Sequence, residues 1–139
     1  MQAIVLAIAL VTPALASSYG DVAVPERFVG TWAGSPTSCG SDADDLALRL
    51  TSHHITYWES EGPIRAVVVR GNEIALIAEL SGEGETWLST AKFELSPGGR
   101  MLTDSISIAG KEVVRHRCPQ SVGTRPNNSF KPTLLRNAA

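Results

Sequence analysis

The sequence predicts an all-β fold: a small antiparallel up-and-down barrel or sandwich of about eight short strands, held by one disulfide. Three observations carry this expectation. Apolar residues recur at every second position in several stretches, which is the period of a strand and not of a helix. Between those stretches Gly, Pro, Asn, Asp and Ser cluster at short, regular intervals, as turns do. Two cysteines, Cys39 and Cys118, bracket almost all of the patterned region.

Residues 1–16 (MQAIVLAIALVTPALA) carry no charge, an apolar run over 3–11, a helix-breaking Pro13, and small Ala14 and Ala16 before Ser17. That pattern reads as a cleaved signal peptide, although the n-region, Met1-Gln2, has no Lys or Arg. The rival reading is a buried element of the domain. The apolar run is too short to span a membrane, so the mature chain has no transmembrane segment and is expected to be periplasmic or secreted. In an oxidising space Cys39 and Cys118 are expected to pair. Closing so long a loop stabilises by about 4 kcal/mol in the chain-entropy model. A structural zinc is not expected, because such sites need paired Cys or His ligands at short spacing.

Residues 17–27 (SSYGDVAVPER) are small, polar and turn-prone, a leader into the domain. The domain itself spans 28–118. Phe28, Gly30 and Trp32 share one face of a first strand. Residues 34–45 (GSPTSCGSDADD) form a loop by composition. Leu46, Leu48 and Leu50 alternate with Ala47, Arg49 and Thr51, again with period two. Ser52-His53-His54 turns the chain, and Ile55 and Tyr57 continue an apolar face. Residues 59–63 (ESEGP) make a turn, and 64–70 (IRAVVVR) a β-branched strand. Gly71-Asn72 is a two-residue hairpin link to the strand 73–80 (EIALIAEL). An acidic turn at 81–85 (SGEGE) precedes the strand 86–95, with Trp87, Ala91, Phe93 and Leu95 on one face. Residues 96–99 turn, 101–108 form a strand with Leu102, Ile106 and Ile108 together, and 112–118 form the last strand. Nearly every link is short enough for a hairpin, so up-and-down order is the simplest connectivity. Closure of a barrel would bring the first and last strands, and the two cysteines, together. Strands of about seven residues make a shallow barrel filled by its own side chains.

Gly30-Thr31-Trp32 on a first strand resembles the Gly-x-Trp signature of the lipocalin-like, or calycin, barrels, in which the Trp plugs one end. The resemblance implies a fold and no particular ligand. The chain is shorter than a typical lipocalin and lacks the C-terminal helix. Residues 119–139 change character: polar beyond Val122, with two Pro, two Asn and no periodicity, they read as a disordered tail. The run RPNNSFKPTLLRNAA over 125–139 resembles the tail shared by many unrelated bacterial proteins encoded in integron gene cassettes. That resemblance implies a bacterial, mobile, accessory gene and says nothing of biochemistry.

The formal net charge of −2 hides an asymmetry. All 14 acids precede Pro119, whereas Arg125, Lys131 and Arg136 follow it without an acid. An acidic domain is a poor nucleic-acid binder, because phosphates need clustered Lys and Arg. The chain has no nucleophile elbow, no glycine-rich loop leading into a helix and no His-Glu-x-x-His. His53, His54 and His116 read as turn and strand histidines and not as a metal set. No cofactor and no catalytic residue is assigned, and the chain is read as a binding protein and not as an enzyme.

The expected binding surface is Trp58 with the acidic turns that carry Glu59, Glu61, Glu83 and Glu85. Trp58 falls on the face opposite Ile55 and Tyr57, and exposed aromatics beside charge are common contact residues. Such a surface suits an exported protein partner, for example a basic hydrolase that the chain would inhibit. The other reading is a carrier of a small hydrophobic ligand at a barrel mouth near Trp32 and Trp87, although both tryptophans also fit the core.

Overall fold

The computed structural model describes residues 22–105 and 110–120. Eight strands close into one antiparallel barrel in chain order. They are β1 (Gly30–Ala33), β2 (Leu48–Leu50), β3 (His54–Tyr57), β4 (Glu61–Arg70), β5 (Glu73–Gly82), β6 (Glu85–Leu95), β7 (Met101–Asp104) and β8 (Val113–Arg117). The barrel shuts where Trp32 and Ala33 of β1 pair with Arg117 and His116 of β8. Closure pairs the first strand with the last, so neither is left as a free edge.

Alternation builds the interior. β5 buries Ile74, Leu76, Ala78 and Leu80, and β6 buries Ala91, Phe93 and Leu95. Phe28, Trp32, Leu48, Leu50, Ile55, Ile74, Phe93 and Leu102 are fully enclosed. These side chains fill the barrel, so its stability comes from packed apolar surface, at about 1.5–3 kcal/mol for each large residue buried.

The strands are less uniform than expected, from three residues in β2 to 11 in β6. Two predicted turns are shorter than composition implied. Glu83 and Gly84 both adopt positive φ, 50° and 82°, so two residues suffice to reverse the chain. Pairing therefore continues to Gly82↔Glu85. The predicted turn at 59–63 loses Glu61, Gly62 and Pro63 to β4. Gly62 makes that possible, since a Cβ there would lie 1.8 Å from the Glu79 carbonyl oxygen. Phe28 is not on a strand face with Trp32. It sits in a single 3-10 turn, Glu26–Phe28, and is buried by folding across the barrel end. Of the predicted strand 101–108, β7 accounts for Met101–Asp104. Residues 106–109, the signal-like segment, most of the leader and the tail beyond Gln120 lie outside the described residues.

Antiparallel order sorts the links onto two ends. The lead into β1 and the turns 51–53, 71–72 and 96–100 share one end, which is plugged. Val24 donates its amide to Ser52 O at 2.8 Å, and the Arg27 guanidinium donates to Gly71 O. Arg117 lies over the Trp32 ring at 4.1 Å and donates to Gly99 O (2.7 Å), Val29 O (2.8 Å) and Arg27 O. The Trp32 indole donates to Phe28 O at 3.1 Å. One arginine thus ties the last strand, a turn and the lead to the buried tryptophan. Burial pushes its guanidinium below the ordinary arginine pKa.

The links 34–47, 58–60 and 83–84 lie at the other end, the loop end, with Ser105 and residues 110–112. The first of these does not stay there. Arg117 faces inward, so Cys118 faces outward. The loop 34–47 runs back along the outside of the β1–β8 seam, where Cys39 meets Cys118 in the expected disulfide, with Cα atoms 5.6 Å apart.

Candidate functional site

The loop end carries two adjoining hollows. One, of about 330 Å³, is lined by Glu59, Ser60, Gly82, Glu83, Glu85 and Trp87. The other, of about 250 Å³, is the barrel mouth proper, lined by Asp45, Leu46, Tyr57, Ser60, Leu80, Trp87, Ser89 and Arg115. Ser60 and Trp87 belong to both, so the two form one cleft.

Local pairing explains how the side chains arrive there. Trp87 pairs with the buried Leu80 and so points to the inner face. It stands at the start of β6, where the barrel opens, and is 41% exposed. Glu83 lies in the two-residue β5–β6 turn, Glu85 follows it at the start of β6, and Glu59 lies in the β3–β4 link. Gly82 lets these links approach, because a Cβ there would lie 2.5 Å from the Glu59 carbonyl oxygen. Trp58, next to Glu59, is 53% exposed and donates its indole N–H to Asp42 O at 3.2 Å.

The floor of the mouth is an ion pair. Arg115 Nη1 lies 3.1 Å from Asp104 Oδ2, and both side chains are buried. Arg115 also donates Nε to Leu46 O at 2.6 Å and lies 6.0 Å from the Tyr57 ring centroid. Its charge is therefore matched inside the barrel. Among the described residues, the loop-end links hold Asp42, Asp44, Asp45, Glu59, Glu83 and Glu112, with Lys111 as their one basic residue. The cleft is thus an aromatic-walled opening in a negative field, which favours positive charge.

Asp44 shapes the rim from below. Its carboxylate accepts from the Gly34 amide (2.9 Å), the Ser38 hydroxyl (3.0 Å) and the Leu46 amide (3.1 Å). Burial acts to raise its pKa, but these hydrogen bonds and the field of Arg115 outweigh that and hold it below the ordinary carboxylate value.

Of the residues expected at a binding surface, Glu59, Glu83 and Glu85 meet in one hollow with Trp58 beside it. Glu61 does not join them. It pairs with Thr56, and its carboxylate lies 3.4 Å from His54 Nε2 and from the Thr56 hydroxyl, on the outer wall. Trp32 and Trp87, the residues of the suggested ligand mouth, are not brought together. Trp32 is fully enclosed, with its indole directed to the plugged end, whereas Trp87 lines the opposite opening and is not core. Tyr57, Ser89 and Arg115 occupy the place given to Trp32. Ser89 shares the alternation of Trp87 and Ala91, and Arg115 lies two positions from the buried Val113, but neither was assigned a face from the sequence, and a buried arginine is unusual.

The sequence reading also passed over an apolar strip on the outer wall, where Val68, Ile77 and Leu88 are exposed around a groove lined by Ala66, Ala75 and Thr90. Its signal was present: 66–69 and 74–78 are apolar on both strand faces. The histidines are separate, as His53 bonds Ser52 (2.9 Å), His54 meets Glu61 and His116 borders Pro36. Among the described residues no group of three or more His, Cys, Asp or Glu could hold a metal ion. No protein-family model, curated protein or solved structure matches the chain.

Proposed function

We propose that the protein is an exported bacterial binding module that recognises a positively charged protein partner through the loop-end cleft. One observation carries the reading: Glu59, Glu83 and Glu85 from two separate links converge with Trp87 on one hollow, beside the exposed Trp58. Inhibition of a basic exported hydrolase is a function of this kind, with Lys or Arg side chains of the enzyme entering the cleft. Stacking of a cation on Trp87 and pairing with the glutamates would act together. The filled interior favours a surface binder over a carrier with an enclosed ligand. Export rests on residues 1–16 and on the Cys39–Cys118 bond, and the bacterial origin on the cassette-like tail. A lipocalin-like origin is supported by Gly30-Thr31-Trp32 and by the closed eight-stranded barrel.

A second reading is favoured by the mouth hollow, where Tyr57 and Trp87 face a polar floor. At about 250 Å³ it is smaller than most small-molecule pockets, so it suits one small amphipathic molecule or the tip of a side chain.

Titration of the oxidised chain with pentalysine, followed by tryptophan fluorescence and calorimetry, tests the main reading. Binding is expected at low salt, weakening as salt rises. Trp87→Ala should weaken it by about tenfold or more, as should the triple change Glu59→Gln, Glu83→Gln, Glu85→Gln. Equal affinity of the triple variant and the parent would sink the assignment.

A further inference from the structure

We propose that the Cys39–Cys118 bond and Asp44 are the positioning elements of the loop-end cleft, so that its geometry depends on the thiol state of the chain. The inference rests on the reading of that cleft as the binding site. The loop 34–47 contributes directly to the cleft at three points. Asp42 O accepts the Trp58 indole N–H (3.2 Å), Leu46 O accepts from Arg115 Nε (2.6 Å), and Asp45 lines the mouth with Tyr57. Two features fix the place and the shape of the same loop. One is the disulfide on the outside of the barrel seam. The other is the Asp44 carboxylate, which gathers Gly34, Ser38 and Leu46.

Asp42 lies between these two fastenings in sequence. The links around it are the short local bonds Ser41 N to Ser38 O (3.0 Å), Ala43 N to Ser41 Oγ (3.2 Å) and Asp44 N to Ser41 O (3.3 Å). Apart from its bond to Trp58, the Asp42 carbonyl is therefore positioned by its neighbours in the loop. A dithiol reductant would transfer two electrons to the S–S bond, giving two protein thiols and a cyclic disulfide of the reagent. Cys39 is then free of β8, and the Asp42 carbonyl loses one of its two supports. Loss of Asp44 removes the other. Either change releases Trp58 while leaving the opposite end of the barrel, with its Trp32 indole bonded to Phe28 O, intact.

The test is the indole N–H spectrum of the full chain, which has three tryptophans, with Trp58→Phe and Trp32→Phe used for assignment. On reduction, hydrogen exchange at the Trp58 indole is expected to rise about tenfold or more while the Trp32 signal persists. An unchanged Trp58 signal in protein with two titrated thiols overturns the proposal. Where reduction also removes the Trp32 signal, the barrel has opened as a whole, and the oxidised Asp44→Ala variant decides. Faster Trp58 exchange in it supports the proposal, and the parent rate overturns it. Pentalysine affinity, measured in parallel, separates the two ideas. Oxidised protein that never binds the peptide defeats the functional reading alone, whereas Trp58 that stays ordered after either change defeats the positioning role alone.

Discussion

Asp44 shows how one residue can govern a segment. Three donors converge on its carboxylate, and the ionised form accepts them more strongly than the protonated acid. Its folded pKa lies below the ordinary value of 3.8, so its contribution to stability is present above that value and lost as pH falls through the folded pKa. Urea unfolding of the parent and Asp44→Asn between pH 6 and about pH 2 should therefore give two curves that converge at the acid end. A constant difference across that range would mean that the carboxylate charge is not what holds the loop. The sequence placed Asp44 in an acidic loop but did not mark it out from Asp42 and Asp45, because its partners Gly34 and Ser38 reach it only through the fold of the loop. Arg115 is the same lesson at the barrel floor. Its partner Asp104 is 11 positions away and on another strand.

At the scale of elements, the hairpin of β4 and β5 depends on backbone approach as much as on side chains. Gly62 faces Glu79 across the sheet with no room for a methyl group, the nearest atom being backbone and unable to yield. Gly62→Ala should force β4 away from β5 at the start of the ladder and cost about 3 kcal/mol or more, in the range of severe overpacking. Thermal unfolding followed by circular dichroism would read this, and a shift within error would show that β4 enters the sheet differently. Composition assigned Gly62 and Pro63 to a turn. Pro63 is tolerated in the strand beside His54 near the beginning of β4, where such residues are accepted. Turn residues were thus read correctly as residue types but not always as turns. The alternation in β2, β5 and β6 was legible directly, because burying one strand face demands it.

The whole molecule is a plugged tube with one open, acidic end. Arg117, Trp32 and Phe28 close one end, and the cleft of Glu59, Glu83, Glu85, Trp58 and Trp87 occupies the other. The disulfide spans 79 positions and acts on the unfolded chain as a whole. Its reduction should lower unfolding free energy by about 4 kcal/mol, seen as an earlier midpoint in urea for reduced protein, with the barrel still folded in water. Coincident midpoints for oxidised and reduced protein would contradict that.

Period-two apolar patterning, turn chemistry and the two cysteines by themselves determined an all-β fold with its ends joined, because strand alternation and chain reversal are local properties of neighbouring residues. Only the tertiary structure decided the rest. It enclosed Trp32 and opened Trp87 to solvent, turned Glu61 away from the other glutamates, and brought the links of β3–β4 and β5–β6 to one rim. Those outcomes depend on barrel closure and strand register, which set distances between residues far apart in the chain, and no local pattern encodes such distances.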